Sequence, residues 1–218
     1  MPRSALHRAA LRTAVIIPLL KLNRNARRKF DVLESAIDTL QQERARALKH
    51  GAAAFAGVLD ASLFVTLLSF DLTVLTLDHA QELRESRQNF YSRQLCMLLF
   101  EALEDLPSVF GKEFREALRA ITDHPRVRDQ LNGHMKSIDV LRRSYSAELK
   151  EIRLFAAAHR EQDAFRQLEV IRKVDDRRVG RIARELDAIL HEIINWLIGV
   201  AKLMGDFRVI LKNIKIPA

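Results

Sequence analysis

An arginine and a histidine six positions apart are the residues of this chain whose chemistry suggests a reaction. They are Arg153 and His159, in the segment Lys-Glu-Ile-Arg-Leu-Phe-Ala-Ala-Ala-His-Arg-Glu-Gln-Asp that covers residues 150–163. Arginine holds a phosphate through parallel N–H donors, and histidine exchanges a proton near neutral pH. Together they suit metal-independent RNA cleavage. The histidine moves the proton of the 2′-hydroxyl or the leaving group, and the arginine stabilises charge on the phosphate.

The spacing of this pair restricts how it can work. At 3.6 residues per turn, positions six apart on a helix lie about 120° from each other, so the two side chains do not share a face. We therefore expect that the helix ends or bends near residues 156–158, or that two subunits each contribute a pair. The next basic residue, Arg160, is a candidate RNA contact. A purely structural role for these side chains stays open at this point.

Other catalytic and cofactor patterns are missing from the sequence. The chain has no Glu-x-x-His spacing for a di-iron site, and a single cysteine, Cys96, supplies neither a zinc pattern nor an internal disulfide. It also lacks a Gly-rich phosphate loop and a Gly-x-Ser-x-Gly turn. We predict no metal and no cofactor, and interpret Cys96 as a buried small hydrophobe in a reducing compartment.

The sequence predicts that the secondary structure around Arg153 and His159 is helical throughout. Gly and Pro number only 7 and 5 in 218 residues, fewer than strands and tight turns need. Apolar residues at spacings of three and four predict a helix from about residue 25 to Lys49-His50-Gly51. Further helices are predicted over about 85–106, 112–121, 126–158 and 165–174, and one after Asp175-Asp176, whose carboxylates cap it. The chain is predicted to be all-α.

Residues 52–77 are almost entirely apolar. A membrane span is one interpretation, but Asp60 and Asp71 lie inside this stretch. Each would cost about 2.5–3.5 kcal/mol near the centre of a bilayer. We therefore predict a buried core helix, broken near Ser69-Phe70-Asp71, and no membrane association.

The net charge of +8 is located at the start of the chain. Residues 1–30 hold eight Lys/Arg and no acid, which leaves 28 basic against 28 acidic residues in the remainder. The short apolar run from Ala14 to Leu20 ends at Lys21 without a small-residue cleavage pattern. We interpret residues 1–22 as a basic N-terminal extension rather than a targeting sequence, and residues 23–218 as one helical bundle domain.

Charge is also uneven within the body of the chain. Residues 142–184 contain twelve Lys/Arg against seven Asp/Glu. Such an excess attracts RNA phosphates, although solvated helix faces with paired charges account for the same composition.

Two segments resemble bacterial helical proteins of the HEPN superfamily. The first runs from Tyr91 to Pro107 and is followed by Gly111-Lys-Glu-Phe-Arg, and the second runs from Glu151-Ile-Arg153 to Ala158-His159-Arg160 with Asp163. The resemblance covers about residues 60–200. It implies an up-down helical bundle, here with additional N-terminal helices, that commonly forms a homodimer.

Active members of that superfamily cleave RNA without metal through an arginine and a histidine at a spacing that Arg153 and His159 match. The resemblance thus implies a cytoplasmic RNA-directed protein of toxin–antitoxin or anti-phage systems, with an antitoxin partner such as a nucleotidyltransferase. The residue after the arginine is usually polar, often Asn, whereas this chain has Leu154. A metal-independent endoribonuclease and a degenerate RNA-binding relative therefore both stay open. The alternative is a non-enzymatic helical interaction or scaffold protein.

Overall fold

The computed structural model of the chain describes residues 5–82, 84–154 and 164–203, with side chains described from Arg24 onward except at positions 164, 166, 167 and 203. Within these ranges the backbone forms seven α-helices and no strand, which confirms the predicted all-α class. The helices are α1 (Ala5–Lys49), α2 (Ala53–Gln81), α3 (Glu85–Val109), α4 (Lys112–Ile121), α5 (Pro125–Ile152), α6 (Ala164–Lys173) and α7 (Asp176–Leu203).

Four helices, α2, α3, α5 and α7, form a central bundle and alternate in direction. Helix α5 is antiparallel to α7, because Glu148 near its end pairs with Arg178 while His134 lies beside Glu192. Burying one aliphatic side chain contributes about 1.5–3 kcal/mol, so the shared core holds the ends of these helices in fixed positions. That core consists of buried aliphatic side chains, among them Leu72, Leu95, Leu99, Leu103, Leu131, Ile138, Ile182 and Leu186.

Helices α1 and α4 pack on the outside of α2. The ring of Phe30 meets that of Phe70 edge-on at 5.4 Å, and Arg44 forms an ion pair with Asp60, so α1 runs antiparallel to α2. A methyl group built on Gly57 would lie 3.4 Å from Ala117 of α4. This is an ordinary van der Waals distance, so α4 packs directly against α2 at this point.

Two helix ends form as the sequence predicts. Gly51 follows α1 with a φ of 69°, a left-handed conformation that glycine adopts without a steric penalty. At the start of α7, the carboxylate of Asp175 accepts hydrogen bonds from the backbone N–H groups of Arg177 and Arg178 at 3.0 and 3.1 Å. This N-cap satisfies two donors that lack partners within the helix.

Two helices differ from the prediction. Helix α1 begins at Ala5, whereas the sequence predicted a helix from about residue 25. Helix α2 continues through Ser69-Phe70-Asp71, because Leu68 and Leu72 on either side are buried in the bundle. Helix α5 is defined as far as Ile152, and its predicted end near Ala158 lies outside the described residues.

The apolar helix α2 lies within the bundle and against α1. By length and composition alone it is able to cross a membrane, with a window of mean hydropathy 1.8, and half of that window is buried inside the protein. Its residue Asp60 pairs with Arg44 of α1. Burial lifts the pKa of the second carboxyl, that of Asp71, above its usual range.

Candidate functional site

Arg153 lies at the end of α5, against the middle of α3. Its backbone caps α5 and continues with Leu154 in a wider, π-type turn. The guanidinium Nε and Nη2 atoms are each 3.4 Å from a carboxylate oxygen of Glu101, and the group lies 5.4 Å from the ring centre of Phe100. With 31% of its side chain exposed, Arg153 is held on one side and open to solvent on the other.

Only part of the predicted catalytic pair falls within the described ranges. His159 and Arg160 lie in residues 155–163, outside the part of the chain that the structure describes. The expected end or bend of the helix near residues 156–158 lies outside the described residues as well. Leu154, which replaces the polar neighbour of the arginine, is 37% exposed.

Arg153 shares one end of the bundle with a group of basic side chains. The ion pair of Arg178 with Glu148, at 2.9 Å, places the last turns of α5 beside the first turn of α7. Hydrogen bonds from Asn89 to the Ile171 carbonyl and from Ser92 to Asp176 bring the start of α3 to the same place. We give the name basic end to six of the exposed Lys/Arg residues here, from the N-cap of α3 and from α6 and α7: Arg84, Arg172, Lys173, Arg177, Arg181 and Arg184.

The six side chains of the basic end have no carboxylate within 4 Å in the described ranges. Many arginines elsewhere do face a carboxylate, including Arg44, Arg46, Arg128, Arg142 and Arg143. The basic end therefore presents cations without direct ion-pair partners, although the carboxylates of Asp175 and Asp176 lie at the same end of the bundle.

A polar cluster is buried beneath the basic end, where α2, α3 and α7 meet. The hydroxyl of Ser92 donates to the carboxylate of Asp176 at 2.5 Å. His79 is 8% exposed, and within the described residues its Nε2 atom has no hydrogen-bond partner. Burial lowers the pKa of His79, an effect that the nearby negative charge of Asp176 opposes. The imidazole is therefore neutral at pH 7.

Cys96 borders this cluster and is fully buried, as predicted. Burial, with smaller contributions from the negative charges of Glu148 and Asp176, raises the pKa of its thiol to about 12. The thiol is therefore protonated at neutral pH, and a nucleophilic role does not fit it because only the thiolate is reactive.

The opposite end of the bundle carries a cleft that the sequence analysis did not predict. This terminal cleft, of about 740 Å³, lies between the first turns of α5 and the last turns of α7. His134 and Glu192 face each other there at 3.8 Å, and the ring of Trp196 lies 6.1 Å from that of His134. No local signal marks these residues, because they come from distant segments that only the packing of α5 on α7 brings together.

The basic end, by contrast, left a partial signal in the sequence. Arg177, Arg181 and Arg184 recur at i, i+4 and i+7, which predicts a common helix face. Whether such side chains have carboxylate partners depends on tertiary contacts, and the sequence does not contain that information.

The described residues contain no candidate metal site, because no three of their His, Cys, Asp or Glu side chains lie close enough together to bind an ion. Comparisons with known proteins add no further assignment: no protein-family model, curated protein or solved structure matches the chain.

Proposed function

We propose that this chain is an RNA-directed, HEPN-like protein, either a metal-independent endoribonuclease or a degenerate RNA-binding relative, in a toxin–antitoxin or anti-phage setting. The observation that carries the proposal is the basic end, where six exposed basic side chains form no ion pair in the described ranges and share one end of the bundle with Arg153.

The arginines of α7 are arranged to follow a phosphate backbone. Arg177, Arg181 and Arg184 lie on the side of the helix opposite the buried Val179 and Ile182. They extend over about 10 Å along the helix axis. RNA phosphates form a similar row of like charges, and binding them releases counterions. Each guanidinium also offers a planar fork that matches a phosphate better than an ammonium does.

This row of arginines lowers the stability of the helix that carries it. Like charges at i and i+4 destabilise a helix by about 0.2–0.5 kcal/mol, and cations in the first turn oppose the helix dipole. Arg177 lies in that first turn, beside the capping Asp175. A ligand with several negative charges would offset the repulsion among these arginines. A polyanion therefore fits this surface.

Arg153 is placed to release its carboxylate when a phosphate arrives. Contacts of 3.4 Å are long for charged hydrogen bonds, and half-exposed ion pairs contribute only about 0–1 kcal/mol. Replacing Glu101 with a phosphate oxygen as the partner of Arg153 therefore costs little free energy. In this proposal Arg153 neutralises the scissile phosphate, His159 transfers the proton, and Arg160 contacts the strand.

A homodimer, cytoplasmic location and an antitoxin partner such as a nucleotidyltransferase belong to the same proposal and rest on the resemblance to the superfamily. A twofold axis would bring the same patch of two subunits together. The two basic ends would then form one groove of doubled positive charge.

The test is incubation of the purified protein with total RNA in the presence of a chelator. An endoribonuclease cleaves under these conditions, and His159→Ala and Arg153→Gln abolish cleavage while the exposed-histidine control His50→Gln retains it. Loss of a general acid–base group lowers the rate by about 10²–10⁴-fold. RNA binding without cleavage would identify the protein as a degenerate RNA-binding relative. Absence of both binding and cleavage would contradict the proposal.

A second candidate is a non-enzymatic helical interaction or scaffold protein. Two observations favour it: Leu154 offers no polar group beside the arginine, and Arg153 already has structural partners in Glu101 and Phe100. This candidate predicts that Glu101→Gln lowers stability, whereas the proposed RNA-directed function predicts that the same change leaves RNA binding intact or strengthens it.

A further inference from the structure

The terminal cleft has the size of a small-molecule site. Its volume of about 740 Å³ lies within the range of about 300–1,000 Å³ that is typical of such sites. Its walls carry His124, which caps α5, Arg126 and His134 of α5, and Trp196 and Lys202 of α7. Most of the wall is apolar, and these side chains place several hydrogen-bonding groups in it.

Two cations of this cleft form no ion pair with any described residue. Arg126 and Lys202 are both exposed, and neither has a carboxylate within 4 Å in the described ranges. The acid that lines the cleft, Glu192, is 3.8 Å from the imidazole of His134 instead. Since burial lowers the pKa of His134, that imidazole is neutral near pH 7, and the cations outnumber the acid.

The start of α5 adds hydrogen-bond donors and a partial positive charge. His124 caps this helix, and its Nδ1 atom accepts a hydrogen bond from the backbone N–H of Arg126 at 3.3 Å. With Nδ1 acting as the acceptor, the Nε2 atom carries the proton and is a donor. The positive end of the dipole of a 28-residue helix lies at the same place.

A buried donor in the cleft wall also lacks an acceptor. Trp196 is 7% exposed, lines the cleft, and within the described residues its indole N–H has no hydrogen-bond partner. Such a group is rare in folded proteins, and no described residue supplies its acceptor.

From these features we infer that the terminal cleft binds the phosphate ester of a small organic molecule. Arg126, Lys202 and the Nε2–H of His124 donate to the phosphate, and the remaining volume accommodates the organic group beside His134 and Trp196. The site is separate from the basic end, because it is formed by the start of α5 and the end of α7. The inference does not depend on the proposed RNA-directed function.

The single tryptophan of the chain provides a direct signal. We expect ribose 5-phosphate, titrated at constant ionic strength, to change the fluorescence of Trp196 in a saturable way. Inorganic phosphate gives a weaker, saturable change, and sodium chloride gives none. Because hydrogen bonds to charged groups contribute about 1.5–3 kcal/mol, the double variant Arg126→Gln/Lys202→Gln should bind ribose 5-phosphate at least tenfold more weakly.

The matched control is Arg119→Gln, which removes another exposed arginine without a carboxylate partner in the described ranges, at a position outside the cleft. It should titrate like the wild type. Circular dichroism melting of all variants checks that the double variant is folded. The inference is overturned if ribose 5-phosphate gives no saturable change, if it binds no tighter than inorganic phosphate, or if the folded double variant titrates like the wild type.

Discussion

Arg178 of α7 and Glu148 of α5 lie 2.9 Å apart, and the guanidinium of Arg178 is also 5.8 Å from the ring centre of Tyr145. These contacts join the last turns of α5 to the first turn of α7. As a result, Arg153, which follows α5, lies at the end of the bundle that also carries Arg177 and Arg181. Arg153 therefore lies at the same end of the bundle as the basic end because of how α5 and α7 are paired.

The arginine row of α7 should be dispensable for folding. We predict that Arg177→Gln/Arg181→Gln/Arg184→Gln leaves the free energy of unfolding unchanged or raises it by up to about 1 kcal/mol. The reason is that the change removes like-charge repulsion and cations near the positive end of the helix dipole. Urea unfolding at low ionic strength measures this. A loss of more than 1 kcal/mol would show that the row has structural partners.

One buried histidine, His79, and one partly buried histidine, His134, make stability depend on pH. Burial lowers the folded-state pKa of both His79 and His134 below the usual 6.5, so below about pH 6.5 the unfolded chain binds more protons than the folded one. Stability is fully present above pH 6.5 and is lost as the pH falls towards the folded-state pKa values. Urea unfolding between pH 8 and pH 5 measures the loss.

The variant His79→Leu separates the contribution of one of these groups. It removes a buried titratable side chain, so the decline in the free energy of unfolding between pH 8 and pH 5 should become smaller than in the wild type. The exposed His50 is the control, and His50→Leu should keep the wild-type decline. An unchanged decline in His79→Leu would contradict a neutral, buried His79.

The N-cap of α7 is the local interaction with the clearest expected effect. Asp175→Ala removes the acceptor of two backbone N–H groups and should lower the free energy of unfolding by about 1 kcal/mol. Asp175→Asn keeps an acceptor oxygen and should retain most of that stability. Equal losses in the two variants would show that the capping hydrogen bonds are not the cause.

The apolar helix α2 leads to a prediction about fractionation. Because it packs in the bundle and Asp60 pairs with Arg44, we predict that the protein remains in the supernatant after ultracentrifugation and purifies without detergent. Recovery only after detergent extraction would assign α2 to a membrane instead.

Local sequence signals predicted the helices and two of their ends. Gly51 and Asp175 act through their own backbone and side-chain chemistry, so their roles are readable from the sequence. The continuity of α2 through Ser69 cannot be predicted from the sequence, because it depends on the burial of Leu68 and Leu72 by other helices. The same distinction applies to the sites. The row of α7 is visible as a spacing, whereas the terminal cleft exists only once α5 and α7 pack.

The proposed RNA-directed function is tested most directly by measuring the affinity for single-stranded RNA at several salt concentrations. We predict salt-dependent binding by the wild type. In Arg177→Gln/Arg181→Gln/Arg184→Gln we predict weaker binding, with a salt slope smaller by about 2, since each lost phosphate contact removes about 0.7. The matched control is Arg44→Gln/Arg142→Gln/Arg143→Gln, which removes the same charge from carboxylate-paired positions and should keep the wild-type slope. Equal slopes in the wild type and the α7 variant, or no binding by the wild type at low salt, would contradict an RNA-binding basic end.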